Sequence, residues 1–432
     1  MIRDKKIGVA LSGGGYRAAG FHLGTLKKLH DLGVLDNVDI LSTISGGSIT
    51  GAAYCLNNKS FLEFEEHMIA TLSSKSVVGY VLKSWRFLLV AIPLTLLLVA
   101  SLLLPLTIWA SYSVFALLIL IVLIVKYQFK ILPLSKIIES AYNIFFFNDA
   151  TLPQLCQCPE IAIGSTNLQT MRHFTFSSRK MEDSAYAYYK PPIYFNNENF
   201  PVARAVMAST CVPFAFTPIS IGKEFYRDNK QYNEVDPKLV DGGIYDNQGI
   251  HKLTQDNSSY ACQIVIVSDA GSKLPFQKAY NNTFTLLLRT VEAFMVRIKN
   301  FQMMQNIYTK NPKREVAYLS LGWDLEQCIE GFYRNMIGGT ISESTLVAHE
   351  LLPEWIQSPK DYYVQIITHL ENKVLYTKIN LNNLDSKKLQ AIRGIGTNLT
   401  CIRESLLKDM IIHAGNLTEI QIRLYCPSLF VV

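Results

Sequence analysis

The chain opens on a short apolar run, Ile7 to Leu11, charged on its near side and followed by glycine, which is the pattern of a buried parallel strand. Beyond Ser12-Gly13-Gly14-Gly15, Leu23, Leu26, Leu29 and Leu32 fall near one face of a helix running from about Arg17 to Leu32, with Gly33 as its stop. Ile40, Leu41 and Ile44 supply a second short strand, a small-residue helix follows from Ser48 to Leu56, and Phe61 to Leu72 reads as another helix. Further on, Pro159 to Thr166, Phe174 to Ser178, Lys238 to Asp241 and Cys262 to Val267 are strand candidates. Pro201 starts a helix through Ser209, Phe284 to Gln305 is helical, and the Tyr- and Asn-rich stretch from Tyr186 to Asn199 reads as a surface loop.

One stretch breaks the globular pattern. From Phe87 to Val125 there is no charged residue. As a single helix these residues would measure roughly 58 Å, nearly twice the roughly 30 Å of bilayer hydrocarbon, so two arms of a transmembrane or membrane-embedded hairpin are expected. They run from about Phe87 to Leu104 and from Ile108 to Val125, with a turn near Pro105, Trp109, Ser111, Tyr112 and Ser113.

Charge supports a membrane and excludes a second partner class. The formal net charge is +6, and Lys75, Lys83, Arg86, Lys126, Lys130 and Lys136 lie between His67 and Ile138 with no acid among them. The basic excess therefore belongs to the flanks of the apolar run, which argues against nucleic-acid binding and places both flanks on the cytoplasmic side of a membrane. The eight cysteines are scattered, with only Cys156 and Cys158 close and no C-x-x-C pair, so neither a zinc site nor a disulfide framework is expected. The charged start, Met1 to Lys6, leads into too few apolar residues for a signal peptide.

Three stretches carry candidate chemistry. Thr43-Ile44-Ser45-Gly46-Gly47 sets a serine where a strand gives way to a helix, the position of a nucleophile at a sharp elbow. The glycine loop satisfies a dinucleotide pattern through Gly13, Gly15 and Ala18, but Asp39 stands at the wrong end of the second strand for the ribose-binding acid, and no Gly-Lys-Ser/Thr follows for a Walker loop. The backbone N–H groups of Gly13, Gly14 and Gly15 are instead expected to form an oxyanion hole beside Ser45, on a neighbouring parallel strand. Lys238-Leu239-Val240-Asp241-Gly242-Gly243 repeats the logic, and Asp241 is the candidate base, with Asp246 a lower-ranked rival in what reads as loop. Arg17 is expected to brace the loop or meet a lipid phosphate. The proline-punctuated run from Cys211 to Pro218 is a candidate wall for an acyl pocket. His251 and His349 keep open a Ser-Asp-His hydrolase, and a catalytically silent, membrane-anchored lipid-binding protein is the non-enzymatic alternative.

Gly13-Gly14-Gly15-Tyr16-Arg17-Ala18, the Ser45 elbow and Asp241-Gly242-Gly243, in that order, resemble the motifs of the patatin-like phospholipases. The departures are Ala18, where the loop usually ends in glycine, and Thr43, where the elbow has its first glycine. The resemblance implies a three-layer α/β/α sheet, interrupted here by the membrane hairpin, and hydrolysis of lipid acyl esters by a Ser45–Asp241 dyad without metal or other cofactor. It also implies that Thr43, Gly47, Gly242 and Gly243 shape the two turns. The expected organisation is a catalytic domain over residues 6–271, the hairpin inserted at 87–125, and a mostly helical extension over 272–432 packed on that domain. A membrane protein with its catalytic domain facing the cytoplasm follows, its partners being the bilayer and a phospholipid or other acyl ester.

Overall fold

The computed structural model describes residues 5–256, 258–272, 282–310 and 312–430; the first four residues of the charged start lie outside it. Its strands are β1 (Ile7–Leu11), β2 (Ile40–Ile44), β3 (Glu160–Asn167), β4 (Arg172–Phe176), β5 (Met181–Asp183), β6 (Ile219–Ser220), β7 (Lys238–Asp241), β8 (Ile264–Asp269) and β9 (Glu315–Ser320). They form one sheet in the order β5-β4-β3-β2-β1-β8-β9, with β7 paired to β3 and β6 to β7. From β3 to β9 the pairing is parallel, and β4, β5, β6 and β7 extend it antiparallel. Parallel strands buried on both faces need apolar side chains in both directions, which explains the near-continuous apolar runs.

The two faces have separate cores. Ile7, Val9, Leu11, Leu41, Ile161, Ile163 and Ile266 point to one side, where α1 (Gly15–Asp31) and α2 (Gly46–Cys55) cover them. Ala10, Ile40, Ala162, Val265, Val267 and Tyr318 point to the other, under Ile250 and Leu253 of a short helix and Met303 and Ile307 at the end of helix Thr283–Asn306. This is the expected α/β layering. Helix α1 ends where expected: Gly33 has φ 68°, its N–H donates to His30 O at 2.9 Å, and Val34 N–H donates to Leu29 O at 2.9 Å, a left-handed cap that glycine adopts without strain.

The C-terminal part is more than a helical extension. It supplies β9 to the sheet, and helix Glu404–Tyr425 lies along α1. A Cβ on Gly24 would stand 2.5 Å from Ile411 O, so small residues let the two helices meet nearly backbone to backbone. The loop from Tyr186 to Asn199 also differs from expectation. Tyr188 and Tyr189 are exposed, but Ile193 and Phe195 are buried, Phe195 in an aromatic cluster with Phe174, Tyr186 and Tyr226.

The chain leaves the sheet after α3 (Phe61–Ser74) and α4 (Val77–Lys83) to form a hairpin of α5 (Trp85–Leu103) and α6 (Tyr112–Lys126). It returns through α7 (Gln128–Ile131) and α8 (Leu134–Tyr142). With its last turn, the first arm runs from Trp85 to Leu106, 22 residues with a mean hydropathy of 2.8 in its most apolar window, long and apolar enough to cross a bilayer. The returning arm starts at Tyr112 rather than Ile108, because the segment after Pro105 is turn, and it bends by 80° where α7 begins. The arms pack on each other, and most of their remaining surface is uncovered hydrocarbon, as at Leu89, Leu96, Leu102, Phe115 and Val125.

Candidate active site

The register along β3 brings the two candidate catalytic residues together. β2 runs parallel to β3 and stops with Ile44 opposite Gly164, while β7 runs antiparallel along the same edge and stops with Asp241 opposite Ser165. The two strands therefore end head to head. Ser45, next after Ile44, faces Asp241 across one step of the β3 register.

Ser45 has φ 49° and ψ −119°, a strained conformation for a residue with a side chain, and α2 begins immediately after it. Neighbours that must be glycine hold it there. A Cβ on Gly46 would lie 2.1 Å from Gly15 O, and one on Gly47 would lie 2.4 Å from Leu11 O, so the elbow presses directly on the glycine loop. Gly46→Ala is expected to lower the thermal midpoint and abolish ester hydrolysis together, since the overlap is with backbone that cannot rotate away; a variant with wild-type melting and activity would contradict this packing. Thr43 fits in place of the usual glycine because Gly51 faces it, where a Cβ would come 2.6 Å from Thr43 Cγ2, and because its hydroxyl accepts a 3.0 Å hydrogen bond from Ser48.

Asp241 is pinned by its backbone, its N–H donating to Cys211 O at 2.8 Å and its carbonyl accepting from the Thr166 hydroxyl at 2.9 Å. Its Oδ1 accepts the Gly243 N–H at 2.7 Å. Burial pushes its pKa up to about 6, against the lowering effects of that N–H and of the Ser45 hydroxyl beside it. The carboxylate is thus a far stronger base than an exposed aspartate.

The glycine loop divides differently from expectation. Gly13 N–H donates to Asn247 O at 2.9 Å and is unavailable to a substrate, whereas among the described residues the N–H groups of Gly14 and Gly15 meet no acceptor. Those two lie at the start of α1, next to the serine elbow. Asn247 also fills the gap between the loop and the Asp241 turn. A Cβ on Gly13 or Gly243 would approach its Oδ1 to 2.4 or 2.6 Å. Arg17 braces the loop through a 2.9 Å bond from Nη1 to Ile395 O, and burial lowers its pKa, with Asp269 opposing.

Several supporting residues carry no recognisable sequence signal. The Ser209 hydroxyl accepts from Ser45 N–H at 2.8 Å and bonds the Ser48 hydroxyl at 2.9 Å, and Ser209 O accepts Gly242 N–H at 3.2 Å, so one residue ties both halves of the site. Beneath the loop, His22 Nε2 donates to Ser12 O at 2.9 Å and Nδ1 accepts from the Ser268 hydroxyl at 2.8 Å; burial pushes its pKa down to about 4, so it is a neutral strut. The two histidines singled out in the sequence, His251 and His349, make other contacts. His349 Nε2 bonds Leu424 O at 2.8 Å, and the His251 ring rests against Tyr245. Asp39 accepts Ile7 N–H at 2.8 Å, at the opposite end of the strands from Ser45. Asp246, expected in a loop, closes the short helix Gly243–Asp246, fully buried, and accepts His251 N–H at 2.7 Å.

On a mixed sheet the site thus gathers a strained serine elbow, a half-buried aspartate facing it and, among the described residues, two glycine N–H groups without an acceptor. A family model described as patatin-like phospholipase matches residues 9–254, more than half of the chain, and the protein belongs to that family of lipid acyl hydrolases. No curated protein matches it. Among solved structures, VipD from Legionella pneumophila is 14% identical, with 99% of this chain and 92% of that chain covered and a TM-score of 0.33. Human GIVD cytosolic phospholipase A2 is also 14% identical, with a TM-score of 0.47; the match covers 99% of this chain and 59% of that one.

Proposed function

We propose that the protein is a membrane-associated lipid acyl hydrolase of phospholipase A type that works through a Ser45–Asp241 dyad. The observation that carries this reading is the meeting of β2 and β7 on β3, which sets a strained serine against a half-buried aspartate whose pKa is pushed up to about 6. Asp241 accepts the hydroxyl proton as Ser45 Oγ attacks the ester carbonyl. The oxyanion is received by the Gly14 and Gly15 N–H groups. Collapse of the tetrahedral intermediate expels the alcohol, which takes the proton from Asp241, and water activated by the same carboxylate releases the fatty acid from Ser45. A lipid filling the site excludes water and keeps that carboxylate basic. No step calls for a metal.

The hairpin is the proposed anchor. At 1.5 Å per residue its first arm covers about 33 Å, close to the hydrocarbon thickness, and Lys83, Arg86, Lys126 and Lys130 at its roots support a catalytic domain facing the cytoplasm. Deleting 87–125 is expected to move the protein from the membrane pellet to the soluble fraction. Retention in the pellet would place the anchor elsewhere.

The function is tested by incubating the purified full chain with phosphatidylcholine vesicles and with triacylglycerol emulsion and measuring fatty acid release. Release from the phospholipid supports the reading. Release from neither lipid, by protein with native circular dichroism, would overturn it.

A further inference from the structure

Between the roots of the hairpin and the loop that follows Cys211 lies a cleft of about 220 Å³, lined by Val90, Leu94, Leu123, Phe129, Leu132 and Phe214 among others. No charged side chain lines it, and a concave, mostly apolar lining of this kind suits an apolar ligand. Its position ties it to the chemistry. The segment from Ser209 to Thr217 holds Ser45 N–H through the Ser209 hydroxyl and Asp241 N–H through Cys211 O. At its far end, Thr217 O accepts the Ser135 hydroxyl of α8, the helix that receives the chain from the hairpin. Phe214 is three residues from Cys211, so at about 3.6 Å per residue the cleft begins within roughly 11 Å of the backbone that pins Asp241.

Two local features mark the cleft as built for a ligand. Phe214 has φ 67°, a strained conformation for a large side chain, and it leaves its ring half exposed against the hairpin. The Thr217 hydroxyl is buried beside the cleft without a partner among the described residues.

We propose that this cleft receives the acyl chain of a bilayer lipid, so that substrate passes sideways from the membrane, along the roots of the hairpin, to Ser45. The occupant follows from continuity. The cleft is walled on one side by the bare hydrocarbon surface of α5 and α6 and on the other by the loop bonded to the catalytic residues, with no charged group between. This inference rests on the hydrolase reading for its chemistry and on the hairpin for its geometry.

Two measurements on the full chain separate the inference from the reading beneath it. In the first, hydrolysis of 4-nitrophenyl palmitate and 4-nitrophenyl butyrate is compared in mixed micelles for wild type, Ala215→Trp and Leu102→Trp. Ala215 is an exposed residue on the cleft wall, and Leu102 lies near the far end of the hairpin. The palmitate-to-butyrate ratio is expected to fall about tenfold in Ala215→Trp and to stay at the wild-type value in Leu102→Trp. An unchanged ratio in Ala215→Trp, or an equal fall in both variants, would overturn the cleft as the acyl site. In the second, Ser45→Ala in vesicles containing a diazirine-bearing palmitoyl phosphatidylcholine is irradiated and the cross-linked peptides are identified. Labelling within 211–217 that is lost on adding Ala215→Trp supports the cleft, and labelling confined to 85–126 overturns it. Because the second measurement needs no turnover, a chain that is labelled at 211–217 but hydrolyses neither ester would sink the hydrolase reading and leave the cleft standing.

Discussion

Replacing Ser45 with alanine is expected to remove ester hydrolysis by about 10⁴-fold or more while leaving the fold in place, since loss of a serine nucleophile leaves only binding and oxyanion stabilisation. The substitution is mild in every other respect. Alanine keeps the Cβ, so it neither relieves nor adds to the strain at φ 49°, and the hydrogen bond that holds the elbow comes from the backbone N–H to Ser209, not from the hydroxyl. Thermal unfolding should therefore match wild type closely. A large loss of stability alongside the loss of activity would mean that the hydroxyl has a structural duty in the site. Activity within tenfold of wild type would remove Ser45 from the chemistry.

Asp241→Asn is expected to lower hydrolysis by about 10³-fold or more and, at alkaline pH, to make the protein more stable. The first effect follows because an amide accepts no proton from Ser45. The second follows from linkage. Asp241 has its pKa pushed from 3.8 in the unfolded chain up to about 6 by burial, so between those values the native state holds more protons than the unfolded state, and stability falls as pH rises through that window. Above about pH 6 the buried charge costs up to about 3 kcal/mol, from the two-unit shift, and asparagine removes that cost while still offering Oδ1 to Gly243 N–H. Unfolding by urea at pH 8 and pH 4 reads this directly: the variant is more stable than wild type at pH 8, and the gap closes at pH 4. Wild-type kcat/KM should fall as pH drops through about 6, as the base becomes protonated. Asp246, also pushed up to about 6 by burial, adds its own stability loss with rising pH, so the comparison of variant with wild type, not the wild-type curve alone, isolates Asp241.

Much of this architecture is legible in the order of residues. β1, α1, β2 and the serine corner follow from apolar runs, leucine spacing and glycines within the first fifty positions, where local preference and tertiary role agree. The hairpin follows from an uncharged run that nothing globular explains. What stayed hidden is long-range. Ser45 meets Asp241 because β3 is long enough for β2 to occupy one part of its edge and an antiparallel β7 the next, and no local pattern encodes that shared register. Ser209, 164 positions from Ser45, is an ordinary serine at the end of a small helix until the fold sets it under the elbow. Gly13 reads like its neighbours in the loop, yet its N–H is taken by Asn247 O, a partner set by folding alone. The strand Glu315–Ser320 is hard to read from sequence for a related reason: it is fully buried at the end of the sheet, beyond the three motifs, and its short apolar run has no partner visible in sequence.

The central claim, that Ser45 is a nucleophile activated by Asp241, is tested most directly by covalent labelling with a fluorophosphonate, which reacts with an activated serine and needs no knowledge of the natural lipid. The full chain in detergent is treated with the probe, digested, and the modified peptide identified by mass spectrometry, with Ser45→Ala and Asp241→Asn alongside. A single adduct on Ser45 in wild type, absent from Ser45→Ala and formed far more slowly in Asp241→Asn, is the predicted result. An unlabelled wild type, or an adduct formed on Ser45 at the same rate without Asp241, would contradict it.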